Sequence, residues 1–544
     1  MKLEDRVAAL TLEDKVRLLT GADGWSMVAL PQIGLRRLVM SDGPVGVRGE
    51  RWDETDTSTN LPSPTAIAAS WDERLVHRLG RLLAFEARRK NVDVLLAPTV
   101  NLHRSPLGGR HFECYSEDPL LTARIGTAYV RGLQSGGVGA CVKHFVANDS
   151  ETERLTYDAR IDERALRELY LAPFEAIVRD GEAWSVMAAY NAVNGHTMTE
   201  SAMLEEILKQ DWGFDGVVVS DWSAARSTEG TANAGLDLAM PGPDGPWGDA
   251  LLEAVRNGRV PEWRIDEKVR RLLRLASRVG ALDGHDGIEP PELAPEDVTA
   301  TVREAAAAGF VLARNHESLL PLDAEELRTV ALLGPGADAA RTQGGGSATV
   351  FPPYTVSPLE GLRSALGDRA RVTHAVGAEA SSMLPPISGD VTVRFLDAEG
   401  RVVAEQSKQT TRFLWLGSFG DDVPSDRVAA VEATVVLRPE HTGDQLLEIC
   451  GVGSFTVEVA GRTVLDRTLR PDDESEPFLA IVKPPRTSTP VRLEAGSRVE
   501  LRVRSTVSGP FAAFAVGHRE PGRTEDEELE HAVALAAAAD VAVV

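Results

Sequence analysis

Strand-like apolar segments alternate with longer helical stretches throughout residues 1–284. The strand-like segments are RRLVMSDG, DVLLAPTVNL, GACVKHF, SVMAAYN, DGVVVSDW and GLDLAMPG. Alternation of this kind indicates βαβ units, whose parallel strands are covered by helices. The length of the span suits a closed barrel with a helix after each strand. We therefore predict an α/β protein whose first domain, residues 1–284, is a TIM-type (β/α)8 barrel.

Polar side chains follow these predicted strands at their carboxyl ends. They are Asp42, Asn101, Lys143 with His144, Tyr190 with Asn191, and Asp221. Ligands and catalytic residues collect at this end of the strands in parallel sheets and barrels. One such residue could be explained as a helix cap or a buried ion pair. Five successive strands that end in this way favour an active or binding site.

The second half of the chain predicts a domain that is interrupted by an insert. GHDGIEPPELAPED is rich in proline and acidic residues, which is typical of a linker, here 285–299. A helix, the strand RTVALLGPGADA and the glycine loop GGGSATV then begin an α/β sandwich domain, 300–385. Short alternating strands predict a β-sandwich insert over 386–524. The α/β pattern resumes over 525–544, and we expect the C-terminal part of this domain to be absent from the sequence.

The composition excludes several classes of partner. A net charge of −24 and a pI near 5.0 disfavour nucleic acids and anionic membranes, because both would be repelled. Three scattered cysteines are too few for a disulfide framework or a metal cluster, and they agree with a reducing compartment. No apolar run has the length of a signal-peptide core or a membrane span. We expect a cytoplasmic protein, unless a leader has been removed.

Motifs that would indicate a metal or a cofactor are missing from the sequence. HExxH, CxxC and DxDxDG patterns do not occur. GGGSA lacks the GxGxxG spacing of a dinucleotide site and the GK[ST] of a P-loop, so we interpret it as a flexible or close-packed turn. We predict no metal and no cofactor, with a small-molecule substrate as the main partner. A homo-oligomer is compatible with the sequence.

Six motifs resemble glycoside hydrolase family 3, the β-glucosidases and their relatives. They are SDGPVGVR at 41–48, GRHFECYSEDP at 109–119, KHFVANDSETER at 143–154, MAAYN at 187–191, VVVSDW at 217–222 and GGGSATV at 344–350. The segments HTGDQLLEI and FTVEVAGRTVLD of the insert are similar to a PA14 domain, which occurs in a subset of this family. We expect the insert to lie near the mouth of the active site, with Phe413 or Trp415 among the aglycone contacts.

The resemblance implies roles for individual residues. Asp221 would be the catalytic nucleophile, because a carboxylate can attack an anomeric carbon and form a covalent glycosyl-enzyme. The other implied residues bind the sugar or the aglycone, namely Asp42, Arg110, Lys143, His144, Tyr190, Trp222 and Met187. For some of these residues a purely structural role remains open. Met187 is typical of a core residue, Tyr190 could be ordinary packing, and Arg110 with Asp42 could be a structural ion pair.

The general acid is not among these residues. The loop VANDSETERLTYDAR contains no histidine, so it differs from the β-N-acetylglucosaminidase branch, which places a histidine and an aspartate there. In the β-glucosidase branch the acid is a glutamate that follows a strand resembling ADVAVV. Since the sequence stops at that strand, we expect the acid to lie beyond residue 544.

The sequence therefore predicts a retaining exo-acting β-glycosidase, most simply a β-glucosidase that hydrolyses terminal non-reducing β-D-glucosyl residues. A β-xylosidase and a deglucosylase of glycosylated natural products remain alternatives within the family. A Schiff-base aldolase with Lys143 as its amine is another, although it leaves Arg110, Asp42 and Asp221 without roles. A further alternative is a non-catalytic sugar-binding protein in which the PA14-like insert carries the binding.

Overall fold

The computed structural model describes residues 2–50, 54–289, 292–378, 383–416, 419–420, 422–471, 484–507, 509 and 511–544. Parts of the predicted linker and of the predicted insert lie outside these ranges. The chain divides into two compact units, Met1–Asn315 with Thr342–Pro353, and His316–Arg341 with Tyr354–Val544. Within the described ranges, no helix is both long enough and apolar enough to cross a bilayer.

The first unit is built on a largely parallel sheet. Its strands are β1 (Ser26–Met27), β2 (Leu38–Asp42), β3 (Val94–Leu96), β4 (Gly139–Phe145), β5 (Asp158–Ala159), β6 (Ser185–Ala188), β7 (Ala192–Val193), β8 (His196–Thr197) and β9 (Val217–Ser220). The main sheet has the order β1-β2-β3-β4-β6-β9, while β5, β7 and β8 form a separate small sheet. Only β1 is antiparallel to its neighbour in the main sheet.

Five of the six predicted strand segments thus contain a strand, and the sixth contributes single bridges. In GLDLAMPG, Leu238 pairs in parallel with Val219, and Ala239 pairs in parallel with Thr20. The Ala22 N–H then donates to the Ser26 carbonyl oxygen at 2.7 Å. Single bridges and this hydrogen bond therefore connect the end of β9 to the residues around β1.

Helices separate the strands of the first unit. They are α1 (Leu3–Ala8), α2 (Leu12–Leu18), α3 (Pro64–Ala69), α4 (Glu73–Arg89), α5 (Pro119–Gln134), α6 (Glu163–Ala165), α7 (Ala172–Arg179), α8 (Glu229–Asn233), α9 (Asp249–Arg256), α10 (Glu262–Arg278) and α11 (Pro295–Ala308). Leu166–Leu171 and Leu204–Asp211 are π-helical. The long helices α4 and α5 each begin after an aspartate, Asp72 or Asp118, whose side chain accepts two backbone N–H groups. The helix α11, predicted partly within the second domain, groups with the first unit.

The strands that carry the predicted site are buried on both faces. All seven residues of β4 and all four of β9 are buried, so their apolar and polar side chains alike are shielded from water. This burial is what a parallel sheet covered by helices produces. Polar side chains near the ends of these strands must therefore find partners inside the protein.

The second unit combines a parallel sheet with antiparallel ones. Strands β10 (Thr329–Leu333) and β11 (Arg371–Ala375) pair in parallel, and β22 (Val541–Val543) pairs with the other edge of β10. The helices α12 (Pro358–Leu366) and α13 (Glu525–Ala538) belong to this part. Strands β10 and β22 pair although they lie far apart in the sequence. The chain between β11 and α13 is therefore an excursion, that is, a segment inserted between two parts of the small α/β layer that β10, β11 and β22 form.

That excursion forms two antiparallel sheets, with strand orders β13-β12-β15-β20-β17-β18 and β14-β21-β16-β19. The strands are β12 (Ser388–Leu396), β13 (Val402–Thr410), β14 (Arg412–Leu416), β15 (Ala430–Leu437), β16 (Gly443–Gly451), β17 (Gly453–Val459), β18 (Arg462–Leu469), β19 (Arg486–Leu493), β20 (Val499–Thr506) and β21 (Phe511–Arg519). Aromatic and aliphatic side chains from both sheets form one core.

The predicted role of Phe413 or Trp415 in aglycone contacts is wrong. Their side chains are 3% and 7% exposed, and the two rings stack with centroids 5.5 Å apart. Trp415 also packs against Phe395 of the facing sheet at 5.6 Å. Because alternate residues of a strand point to the same face, β14 turns both rings into the core of the sandwich.

A buried ion pair ties the π-helical segment to the chain after β9. The Lys209 ammonium donates to Asp237 Oδ1 at 2.7 Å, and the Val218 N–H donates to Asp237 Oδ2 at 2.9 Å. Lys268 lies nearby and donates to the carbonyl oxygens of Ala234 and Leu236. Burial lowers the pKa of Lys268 to about 7. Both oxygens of Asp237 thus depend on fixed partners.

We predict that Lys209→Met lowers the free energy of unfolding by about 3–5 kcal/mol, because it leaves the Asp237 carboxylate buried without its cation. Urea denaturation followed by circular dichroism measures the loss. The matched control is Arg164→Ala, which breaks the exposed pair between Arg164 and Glu168 and should cost less than about 1 kcal/mol. Equal losses in the two variants would contradict a special role for the buried pair.

Candidate active site

A buried ion pair joins β2 to β4 at the carboxyl ends of these strands. The Lys143 ammonium donates to Asp42 Oδ1 at 2.7 Å, and both side chains are almost fully buried. The Gly43 N–H donates to the same oxygen at 2.9 Å. Burial alone would raise the pKa of Asp42, but Lys143 and other donors outweigh it and hold the pKa at about 2. Asp42 is therefore an ionised acceptor.

The glycine loop completes the surroundings of Asp42. The Ser347 hydroxyl donates to Asp42 Oδ2, and the Ser347 carbonyl oxygen accepts from Arg48 Nη1 at 3.0 Å. Burial lowers the pKa of Arg48 to about 10, against the opposing effect of Asp42. Both oxygens of Asp42 are thus engaged, and an arginine backs the loop that provides Ser347.

The glycines of the GGGSATV loop are explained by close packing and by backbone conformation. A Cβ on Gly344 would lie 2.2 Å from the ring of Phe112. Gly345 and Gly346 have φ angles of 90° and 73°, which favour glycine. The interpretation of GGGSATV as a close-packed turn therefore agrees with the structure, but it missed the serine that the turn carries.

His144 is held in one tautomer by Asn101. Asn101 Oδ1 lies 2.9 Å from both the backbone nitrogen and Nδ1 of His144, and Asn101 Nδ2 donates to the His144 carbonyl oxygen at 3.1 Å. Since Oδ1 only accepts, Nδ1 carries the proton and Nε2 keeps its lone pair. Burial, followed by the charges of Arg110 and Lys143, lowers the pKa of His144 well below its usual value. The ring is therefore neutral.

Arg110 links this histidine to the loop that follows β3. Its Nη2 lies 3.0 Å from His144 Nε2, and its Nε donates to Glu113 Oε1 at 2.5 Å. Thr99 donates to the other oxygen of Glu113 at 3.1 Å. Burial would lower the pKa of Arg110, but Glu113 and Asp221 raise it above its usual value. A permanent positive charge thus lies beside the histidine.

Asp221 immediately follows β9 and is 7% exposed. Its Oδ1 accepts the backbone N–H of Trp222 at 2.8 Å, and its Oδ2 lies 3.6 Å from His144 Nε2. Burial raises the pKa of Asp221, while Arg110, Lys143 and the Trp222 N–H work in the opposite direction. The two cations therefore favour the ionised carboxylate that burial disfavours.

Two other predicted residues lie beside Asp221, and one does not line the site. Burial and the charge of Asp221 raise the pKa of Tyr190 well above its usual value, so the phenol stays protonated. Trp222 is half-buried, and its Nε1 donates to the Gly24 carbonyl oxygen at 2.8 Å. Met187 is 2% exposed and packs within the main hydrophobic core, which favours the core interpretation over ligand contact.

Sequence reasoning missed three residues of this cluster, Arg48, Glu113 and Ser347. Each lies inside a quoted motif, SDGPVGVR, GRHFECYSEDP or GGGSATV. Membership of these motifs was the available signal, but Arg48 and Ser347 meet partners about 300 positions away in the chain. In the part of the chain that the structure describes, no group of three or more His, Cys, Asp or Glu side chains could hold a metal ion.

Both halves of the chain are similar to known proteins. The family model for the Glycosyl hydrolase family 3 N terminal domain matches residues 22–275, and the model for its C-terminal domain matches residues 310–544. A β-glucosidase of Rhizobium radiobacter is 42% identical over 476 residues, which cover 85% of this chain and 57% of that protein. β-Glucosidase B of Emericella nidulans is 36% identical over 564 residues, which cover 100% of this chain and 66% of that protein.

Solved structures give the same relationship. The β-glucosidase of Kluyveromyces marxianus in complex with glucose superimposes with a TM-score of 0.90 at 28% identity, covering 100% of this chain and 68% of that one. The β-glucosidase DesR of Streptomyces venezuelae in complex with D-glucose has a TM-score of 0.73 at 27% identity, covering 100% of this chain and 67% of that one. The chain thus spans about two thirds of these structures, and 57% and 66% of the two curated relatives.

Both domain models of one family match in order along the chain, and curated relatives reach 42% identity. The fold is correspondingly the two-domain α/β fold of that family. This chain belongs to glycoside hydrolase family 3.

Proposed function

We propose that the protein is a retaining exo-acting β-glucosidase with Asp221 as its nucleophile. The observation that carries the proposal is the environment of Asp221, a buried carboxylate at a strand end, 3.6 Å from His144 Nε2, whose pKa is raised by burial and lowered in part by Arg110 and Lys143. The names of the relatives and the glucose bound in similar structures support the same substrate class. As the chain spans only part of those relatives, this activity is proposed for the whole protein.

The proposed reaction has two steps. Asp221 attacks the anomeric carbon, the bond to the aglycone oxygen breaks, and a glycosyl ester forms on the carboxylate. Water then cleaves the ester and releases the sugar with retained configuration. The expelled oxygen needs a proton, and Asp42 cannot supply it because its pKa of about 2 keeps it ionised. We assign no described residue as this acid.

The remaining site residues would bind and orient the sugar. The ionised Asp42 can accept hydrogen bonds from sugar hydroxyls, while Lys143 and Arg110 can donate them. Neutral His144 has a lone pair and no proton at Nε2, where it accepts a hydrogen bond from Arg110 Nη2. A histidine that stays neutral in this tautomer is poorly suited to protonate a leaving group.

A Schiff-base aldolase is less well supported. An amine nucleophile must be free to attack a carbonyl carbon, whereas Lys143 is tied to Asp42 at 2.7 Å. That reaction would also leave the Arg110 and Asp221 arrangement without a role. A sugar-binding protein without catalysis would keep Lys143 and Asp42, but it would not need an ionised Asp221.

We also infer the finer architecture from the strand pairing. The first unit is a (β/α)8-type barrel in this proposal, and the bridges of Leu238 and Ala239 support its closure. The antiparallel sheets correspond to a PA14-like insert at 386–524 between the two parts of the α/β domain, 300–385 and 525–544. A cytoplasmic location and a homo-oligomeric state stay predictions.

We expect Asp221→Ala to reduce kcat by at least about three orders of magnitude, because the carboxylate acts in the transition state and the intermediate. Affinity for glucose, measured by calorimetry, should change little. The matched control is Asp215→Ala, because Asp215 lies before the amino end of the same strand and pairs with Arg278 at the surface. Labelling by a 2-fluoro glucoside at another carboxylate, found by mass spectrometry, would refute the assignment.

A second prediction concerns pH. Activity requires ionised Asp221, so it falls as the pH drops through the pKa of this carboxyl, which burial raises and Arg110 lowers. Arg110→Gln should therefore move the acid limb of kcat/KM to higher pH. Arg110→Lys keeps the charge and should move it less. The shift is measured from the rates of 2,4-dinitrophenyl β-glucoside cleavage across pH 4 to 8, and we expect it to be about one pH unit in Arg110→Gln. An acid limb at the wild-type pH in Arg110→Gln would contradict the electrostatic role.

A further inference from the structure

Asp149 joins the loop that follows β4 to the loop that follows β3. Its Oδ1 accepts the backbone N–H of Leu102 at 2.6 Å. Leu102 directly follows Asn101, whose Oδ1 lies 2.9 Å from both the backbone nitrogen and Nδ1 of His144. His144 and Asp149 belong to the same motif, KHFVANDSETER. Two residues of one motif thus bond to neighbouring residues of the other loop.

The backbone around Asp149 is itself held in place. The Tyr157 hydroxyl accepts the Asp149 N–H at 3.1 Å and donates to the Ala147 carbonyl oxygen at 2.6 Å. The Asn148 Nδ2 donates to Asn191 Oδ1 at 3.0 Å, which ties the same loop to the end of β6. The Asp149 side chain therefore acts from a fixed position on the loop that follows β3.

The two oxygens of the Asp149 carboxyl have different surroundings. Oδ1 accepts from Leu102, whereas Oδ2 is buried and has no hydrogen-bond partner among the residues that the structure describes. Burial raises the pKa of Asp149 to about 7, although the Leu102 N–H and the charge of Arg104 oppose it. An asparagine at this position would keep the acceptor oxygen for Leu102 without placing a charge in the buried site.

The tautomer of His144 decides which group Asp221 meets. His144 Nε2 lies 3.0 Å from Arg110 Nη2 and 3.6 Å from Asp221 Oδ2. With the proton on Nδ1, Nε2 accepts a hydrogen bond from Arg110. With the proton on Nε2, an N–H would oppose the N–H groups of Arg110 and would lie near the carboxylate of Asp221. A hydrogen bond to that carboxylate would stabilise its charge and weaken it as a nucleophile.

We propose that Asp149 is a positioning residue that fixes the tautomer of His144. It holds Leu102 and thereby Asn101, which keeps the proton of the imidazole on Nδ1. Without the Asp149 carboxyl, the N–H of Leu102, a residue only 2% exposed, would be left unpaired. The loss of such a bond shifts an equilibrium about tenfold. The inference rests on the proposed β-glucosidase function, because it takes Asp221 to be the nucleophile.

Nitrogen-15 NMR of the full-length protein, labelled in its histidines, measures the tautomer directly, and His144→Gln identifies the signal of His144. We expect a protonated Nδ1 and an unprotonated Nε2 in the wild type. In Asp149→Ala the tautomer ratio should shift about tenfold toward a protonated Nε2, and kcat/KM for 2,4-dinitrophenyl β-glucoside should fall about tenfold. Asp149→Asn keeps the acceptor for Leu102 and should restore both the tautomer and the rate.

The matched control is Asp158→Ala. Asp158 lies on β5 of the small sheet, and its Oδ1 likewise accepts a backbone N–H from another segment, that of Gly195 at 2.8 Å. Its loss should leave the His144 signal and kcat/KM unchanged. A wild-type signal and rate in Asp149→Ala, or an Asp149→Asn variant that is as impaired as Asp149→Ala, would overturn the proposal.

If Asp149→Ala does not fold, as judged by circular dichroism, Tyr157→Phe takes its place. This variant removes the hydroxyl that fixes the backbone of Asp149 to Ala147. The same direction of tautomer shift is expected, and a wild-type signal in Tyr157→Phe would then overturn the proposal.

The two hypotheses fail in different ways. Failure of the proposed function would appear as no cleavage of 4-nitrophenyl β-D-glucoside by the wild-type protein at full length, while the NMR comparison would still report on Asp149. Failure of the role of Asp149 would appear as normal wild-type cleavage together with a His144 signal that the Asp149 variants do not change.

Discussion

The ion pair between Lys143 and Asp42 is the interaction on which the candidate site depends. Each partner lies at or near the end of a strand that is buried on both faces, so neither charge could remain there alone without a large desolvation cost. The pair also supplies charges to its neighbours. Lys143 lowers the pKa of both Asp221 and His144, while the ionised Asp42 anchors Ser347 of the glycine loop.

Around this pair the site separates groups that are charged from groups that are neutral. Asp42 and Arg110 are ionised, while His144 and Tyr190 are kept neutral by burial and by the charges beside them. At Asp42 the neighbouring donors outweigh burial, whereas at Asp221 burial raises the pKa although two cations favour the carboxylate. A nucleophile benefits from such a balance, because a carboxylate that is only partly stabilised in the free enzyme keeps its reactivity.

The site is also divided between a polar side and an aromatic side. Asp42, Lys143, Arg110 and His144 present charges and lone pairs, which suit the hydroxyls of a sugar ring. Trp222 and Trp25 present indoles instead, and Trp222 is adjacent in the sequence to Asp221, the proposed nucleophile. Arg48 connects the two sides, because one end of its guanidinium reaches the Ser347 loop and its face covers Trp25.

The sequence by itself determined the parallel α/β character of the first unit, the β-sandwich texture of the insert and the residues at the strand ends. Hydrophobic run length and periodicity are local properties, and the residues of VVVSDW or GACVKHF carry them wherever the rest of the chain goes. Only the tertiary structure decided the rest. Ser347 meets Asp42 across 305 positions, Trp25 meets Trp222 across nearly 200, and Phe413 and Trp415 turn into a core instead of a site. Such contacts depend on how distant segments pack, and no local pattern records the partner that packing supplies.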